Sequence, residues 1–274
     1  MALLIVAKDE TALVAAAAAR LTELIHSAID RSGNAMVALT GGRTPRALYT
    51  SLAAPPWRER IDWGRVHLFW SDERHVPPDD PESNYGLAHD TLIAHVPIPA
   101  DHVHRMRGEL DAREAARVYD EEIASAFAAA RRDRDRVFDV MLLGLGDDAH
   151  IASIFPKSPL LEGYAGLTRP ALQENGSGAD LVRSTEPGAS TVGVWAPHLN
   201  AWRITLTPAT ILDSHAIVMF VGGPNKADAV HAALEREPVD VQQFPAQLLR
   251  HAADRVEWFM DAPAADRLHG APPS

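Results

Sequence analysis

The sequence predicts an α/β fold: an open, mostly parallel sheet with helices on both faces and a few antiparallel additions. Two observations carry this. Short apolar runs alternate with longer stretches in which apolar residues recur at helical spacing. Several of those runs also end in loops rich in Gly, Asp or Pro that lead towards a helix, which is the punctuation of βαβ units.

In chain order, Leu3 to Val6 reads as a first strand and Glu10 to Ile29 as a helix. The helix has Leu13, Leu21, Leu24 and Ile25 at helical spacing, and its alanine run at 15–19 is good helix former. Ala35 to Leu39 is a strand. Thr44 and Pro45 then look like an N-cap and a first helical residue, opening a helix to about Leu52. Val66 to Trp70 is a strand, and a helix from Ser83 or Asn84 reaches about His95. Val103 to Met106 reads as a short strand and Asp111 to Arg132 as a long amphipathic helix.

Val137 to Leu143 is a buried strand broken by Gly144 and Gly146. The stretch 157–190 is rich in Gly, Pro and Ser and shows little periodicity. Val192 to Trp195 and Trp202 to Thr207 alternate as strands, paired through a turn at Pro197 to Asn200. Ala216 to Val221 is a buried strand, followed by a helix to about Leu234. A short helix over Phe244 to His251 and a strand over Val256 to Met260 complete a Rossmann-like pattern. Residues 1–274 are expected to form one domain.

At 274 residues the chain can bury a full core. It has no cysteine, which removes disulfides, a thiol nucleophile and thiolate metal sites. A net charge of −11 argues against nucleic-acid binding, which needs a basic face. The apolar start, Met1 to Ala7, is short and lacks the basic region of a signal peptide, and no apolar run looks long enough to span a bilayer. A cytoplasmic protein without a membrane partner is expected, as a monomer or weak homodimer. An anionic substrate would need a local cluster of cations against the acidic background.

Three loops follow strands and carry candidate chemistry. Gly41, Gly42, Arg43 and Thr44 lie between a strand and a helix start, where free amides and the helix dipole can bind phosphate; an ordinary capped turn has the same pattern. Asp72, Glu73 and Arg74 leave the end of another strand as a polar cluster or a solvated turn. Asp148 and His150 sit two apart in a glycine-shaped loop, where a carboxylate can orient a histidine acting as general base. Arg203 and Lys226 are single cations at element boundaries, each able to hold an anion or simply be solvated.

Other chemistries fit less well. Gly144 to Ala149 matches the dinucleotide fingerprint formally, but Pro156 and Pro159 cut short the helix that fingerprint needs. His89, His95, His102 and His104 lack metal-ligand spacing, and there is no serine-esterase elbow.

Taken together, five stretches resemble the 6-phosphogluconolactonase family, within the larger group that includes glucosamine-6-phosphate deaminases. They are Gly41 to Pro45, Trp70 to Pro77 with Ser83 to Tyr85, Gly144 to Pro156, Arg203 to Pro208 and Gly222 to Ala227, in the family's order. The deaminases continue the third loop with an Asn-Glu-Pro; Ser153 to Pro156 here is lactonase-like. The chain departs from the family where Ala149 replaces a usual Gly, Asp147 a usual Pro and Arg43 a usual small residue.

The resemblance implies hydrolysis of 6-phospho-D-glucono-1,5-lactone to 6-phosphogluconate, with no metal or organic cofactor. On that reading His150 activates water and Asp148 orients it. Arg74 stabilises the carbonyl oxygen or anchors substrate, and Asp72 holds Arg74 or a sugar hydroxyl. Gly41, Gly42, Arg43, Thr44, Arg203 and Lys226 receive the phosphate. Two alternatives are a glucosamine-6-phosphate deaminase or isomerase, which would release ammonia, and a non-catalytic sugar-phosphate binder, which would show no turnover.

Overall fold

The computed structural model describes residues 2–130, 137–162, 164, 182–183 and 189–269. Its strands are β1 (Leu3–Ala7), β2 (Ala35–Leu39), β3 (Val66–Trp70), β4 (Asp72–Arg74), β5 (Val140–Leu143), β6 (Val182–Arg183), β7 (Thr191–Ala196), β8 (Ala201–Leu206), β9 (Ala216–Val221) and β10 (Val256–Asp261). Its helices are α1 (Glu10–Ser32), α2 (Arg43–Leu52), α3 (Trp57–Arg60), α4 (Asn84–Thr91), α5 (Ala112–Ala129), α6 (Pro208–Asp213), α7 (Ala227–Leu234) and α8 (Ala262–Ala265).

Six strands form a parallel sheet in the order β1-β10-β9-β5-β2-β3. Alternation along each strand splits its side chains between two cores. Met36, Ala38, Met141 and Leu143 face one core with α5 and α7 residues such as Tyr119, Ile123 and Val230. Val37, Leu39, Val140 and Leu142 face the other with Leu13, Leu21, Leu48 and Tyr49 of α1 and α2. Burial on both faces explains why β2, β5 and β9 are continuous apolar runs rather than alternating ones, and why β3 is interrupted only by His67. A second, antiparallel sheet runs β4-β8-β7-β6. Thus the open parallel sheet, its two helical faces and its antiparallel additions all match the sequence expectation.

Some elements differ. Asp72 to Arg74 reads as a turn in sequence but pairs with β8 as a strand, because Ile204 and Thr205 lie beside it from far along the chain. Val103 to Met106 makes one bridge, Leu68 to Val103, at the edge of β3 and no full strand. Residues 245–252 wind as a 3₁₀ helix. Most of 157–190, and the end of the predicted 111–132 helix, lie outside the described residues.

The reading that no apolar run is long enough to span a bilayer is also corrected. α1 is long and apolar enough to cross a bilayer by length and composition. Its apolar stripe is nevertheless used internally: Leu13, Ala17, Leu21 and Ile25 are buried in the core beneath the sheet. Asp9 caps its start through the Ala12 amide, and Gly33 ends it at φ 84°, a conformation that suits glycine.

Candidate active site

Adjacent strands β9, β5, β2 and β3 deliver four segments to one end of the sheet. The chain runs outward from β2 to β3 on one side and from β5 to β9 and β10 on the other, so strand order reverses between β2 and β5. Open α/β sheets place their ligand crevice at such a reversal, beyond the carboxyl ends of the strands. A cleft of about 590 Å³ lies there. Gly41, Gly42, Arg43, Thr44, Asp72, Arg74, Asp148, His150 and Lys226 all line it.

The first loop begins with Thr40, held by Tyr49. The Tyr49 hydroxyl donates to the Thr40 carbonyl at 2.6 Å and accepts from its amide at 3.1 Å. Burial pushes the Tyr49 phenol well up, so it stays protonated. α2 starts at Arg43 with Gly42 as N-cap at φ 105°, earlier than the Thr44 cap expected from sequence. Glycine adopts that backbone without strain, which lets the helix begin sooner. No side chain caps this N-terminus, so its first amides and the positive end of the helix dipole are available at the cleft. Gly41 has a second role: a β-carbon there would sit 1.7 Å from Asn84 Oδ1.

The loop after β5 folds back on itself. The Gly146 amide donates to the His150 carbonyl at 2.9 Å and the Ala149 amide to the Gly146 carbonyl at 3.0 Å. His150 Nδ1 lies 2.6 Å from Asp148 Oδ1, which also accepts the His150 amide at 3.2 Å. Burial raises the Asp148 carboxyl, but the side-chain and backbone hydrogen bonds and charge of His150 outweigh it and hold it below its ordinary value. An ionised carboxylate only accepts, so Nδ1 carries a proton and Nε2 is the ring nitrogen that Asp148 does not engage. Gly146 makes room for this ring, since a β-carbon there would fall 2.0 Å from His150 Nδ1. Phe155 packs on the same imidazole at 4.6 Å between ring centroids.

Ala149 adopts φ 62° and is fully buried. This position does require the left-handed backbone that favours glycine, and the chain accepts alanine there.

On the β3 side, Asp72 and Arg74 point from one face of β4. The Asp72 carboxylate takes hydrogen bonds from Ser153 Oγ at 2.6 Å and Asn84 Nδ2 at 3.3 Å, not from Arg74. Arg74 Nη1 instead donates to the Glu82 carbonyl at 2.8 Å. Glu73 points the other way and accepts from the Asn84 and Tyr85 amides at 2.7 and 2.8 Å, closing the start of α4. Burial pushes the Glu73 carboxyl up, and those amides oppose the shift.

Arg203 is the one expected residue that does not line the cleft. It stands opposite Arg74 in the β4–β8 register, half-buried, with Nη1 donating to the Trp202 carbonyl at 3.0 Å. Burial, then the neighbouring charge of Arg74, lowers its pKa. Lys226, after β9, reaches the cleft, but its Nζ is 2.6 Å from Asp147 Oδ1. Asn225 donates to that same oxygen at 3.0 Å.

Sequence reasoning gave no site role to Asn84, Ser153, Asn225 or Thr40. Asn84, Ser153 and Asn225 stand inside the quoted stretches, but nothing local to them signals that they line the cleft or bond a residue that does. Of the histidines tested as metal ligands, His102 and His104 belong to a structural stack. His67 lies 3.8 Å from the His102 ring, bonds His104 at 3.0 Å through Nδ1, and His104 in turn meets Glu122 at 2.7 Å. Among the described residues, His231 on α7, Glu235 just after it and His269 after α8 have ligand atoms that converge, and none of the three lines the cleft.

A parallel α/β sheet with a histidine–carboxylate pair and an uncapped helix start at its strand ends defines an α/β protein whose cleft can hold a small anion beside a general base. The chain belongs to the family of glucosamine-6-phosphate isomerases/6-phosphogluconolactonase, whose model matches residues 8–258. A 6-phosphogluconolactonase of Mycobacterium tuberculosis is 38% identical over 269 residues, covering 95% of this chain and 96% of that protein. One from Streptomyces coelicolor is 35% identical over 271 residues, covering 97% and 94%. The solved 6-phosphogluconolactonase of Trypanosoma brucei superposes with a TM-score of 0.76 at 26% identity, over 98% of this chain and 99% of that one.

Proposed function

We propose that this protein hydrolyses 6-phospho-D-glucono-1,5-lactone to 6-phospho-D-gluconate, the lactone-opening step of the oxidative pentose phosphate pathway, in the cytoplasm. The observation that carries this reading is the Asp148–His150 pair facing a cleft whose other walls are the α2 N-terminus and Lys226. The relatives named above carry the same activity in their names.

His150 Nε2 takes a proton from water as the water oxygen bonds to the lactone carbonyl carbon. Asp148 holds Nδ1–H and stabilises the imidazolium that forms. The carbonyl π pair moves to oxygen, and Arg74 is the cation on that wall of the cleft to meet the developing charge. When the tetrahedral intermediate collapses, the ring C–O bond breaks and the imidazolium returns its proton to the leaving alkoxide. The phosphate lies on the Gly41 to Thr44 amides, with Arg43 and Lys226 as counter-charges. Arg203 backs Arg74: two guanidinium groups facing each other across a strand pair favour an anion near them.

A deaminase would place a glutamate in the stretch after His150. Here Ser153 occupies that stretch and bonds Asp72, while the acid partner of His150 is the nearby Asp148.

The test is lactone hydrolysis followed by proton release and corrected for spontaneous opening. Wild type turns over the phosphorylated lactone with a higher kcat/KM than plain gluconolactone, and His150→Ala loses the activity. Wild-type activity in the alanine variant removes His150 as the base, and equal kcat/KM for the two lactones removes the phosphate pocket. Ammonia release from glucosamine 6-phosphate would point to the deaminase reading instead.

A further inference from the structure

The cation assigned to the phosphate is already engaged. Lys226 Nζ is 2.6 Å from Asp147 Oδ1, and Asn225 Nδ2 is 3.0 Å from the same oxygen. The lysine side chain is 20% exposed and the aspartate 67%, so the acid sits at the mouth of the cleft and the amine lies deeper. The three residues come from two different strand ends, after β5 and after β9, and all line the cleft.

We propose that Asp147 is a positioning residue: it holds Lys226 until a phosphate dianion takes the ammonium and displaces it. This rests on the reading of Lys226 as a phosphate ligand. Each entering anion must then exchange for a carboxylate rather than meet a free cation. That exchange subtracts the same Asp147–Lys226 attraction from every anion, so the pair sets how tightly the cleft holds phosphate. Asp147 lies next to Asp148 in sequence, and its carboxyl is held low chiefly by the Lys226 hydrogen bond. It therefore remains a charged competitor throughout the neutral range. Asn225 keeps the carboxylate aimed at the amine and gives it a second partner, which stays behind when Lys226 departs.

The experiment is a double-mutant cycle on inorganic phosphate binding, by calorimetry and by competitive inhibition of lactone hydrolysis. Asp147→Asn keeps an oxygen acceptor for Asn225 and removes the charge. It tightens phosphate about two- to fivefold, the range of a partly exposed ion pair, and lowers KM for the phosphorylated lactone by a similar factor, with kcat little changed. In a Lys226→Met background the same substitution has no effect.

If Asp147→Asn tightens phosphate equally in both backgrounds, the effect is the removed net charge and the proposal is overturned. If Lys226→Met weakens phosphate but Asp147→Asn leaves it unchanged, the exchange is wrong while the phosphate role of Lys226 stands. If Lys226→Met itself leaves phosphate binding unchanged, the underlying reading falls and takes this inference with it. Asp147→Ser, which shortens the side chain, serves as the second variant if the asparagine protein unfolds early in a thermal scan.

Discussion

The imidazole of His150 and the carboxylate of Asp148 bond at 2.6 Å across a loop in which the same Asp148 oxygen also accepts the His150 backbone amide. One carboxylate oxygen thus fixes both the ring and the backbone that carries it. The acid comes from the same loop as the base, so the pair forms locally once Gly146 and Ala149 set the turn.

Asp148→Asn keeps the size of the side chain but not its charge. The loop geometry survives, while the imidazolium formed during water attack loses its counter-charge. We expect kcat to fall by about 10² or more with KM changed little. Steady-state kinetics on the phosphorylated lactone check this, and a variant with wild-type kcat would show that the carboxylate only shapes the loop.

Gly146→Ala separates activity from stability. Its added β-carbon would lie 2.0 Å from His150 Nδ1, so the ring must swing away from Asp148. The Gly146 backbone is not in the left-handed region, so alanine is not strained there for conformational reasons. Turnover should drop at least about tenfold, with the thermal midpoint lowered far less than a core truncation would lower it. Unchanged turnover would mean the imidazole is not held against this glycine.

Ala149→Gly tests how the chain bears alanine at φ 62°. Relief of the left-handed backbone is worth roughly 1 kcal/mol. Against it stand the loss of a buried methyl, about 0.8 kcal/mol, and a more flexible unfolded chain, about 0.4–1 kcal/mol. These nearly cancel, so urea denaturation should show a change below about 1 kcal/mol. A loss above about 2 kcal/mol would mean that the methyl group packs better than its area implies.

The His67–His102–His104 stack makes stability fall with acid. Burial, then the neighbouring His102 and His104, lower His67 from 6.5 to about 4, and burial lowers His104 too. For a base with a depressed folded pKa, the unfolded chain binds the proton first. The stack's contribution is therefore complete above about pH 6.5 and declines as pH falls towards 4. Thermal midpoints measured from pH 7.5 to 5 should fall more steeply in wild type than in His67→Phe, which keeps a stacked ring and cannot titrate. Parallel slopes would remove the stack from the pH response.

The central strands were legible because burial on both faces imposes a local signature. Val37, Leu39, Val140 and Leu142 lie in apolar runs that can be recognised without knowing their neighbours. The loops that leave them were legible for a related reason, since Gly42 and Gly146 are demanded by a positive φ and by the space a ring occupies. Asp72 to Arg74 was not legible as a strand, because three polar residues owe their extended pairing to β8, about 130 positions later by the register of Asp72 with Thr205.

By itself, then, the sequence determined the alternation of strands and helices, the family and the residue types available for chemistry. Tertiary structure decided which of them meet. It placed β9, β5, β2 and β3 side by side, so that loops more than a hundred residues apart close one cleft. It set Arg203 against Arg74 rather than in the cleft lining, and engaged Lys226 with Asp147. The physical reason is that a hydrophobic period is written within one segment, whereas strand order, register and ion pairing depend on packing between segments distant in the chain.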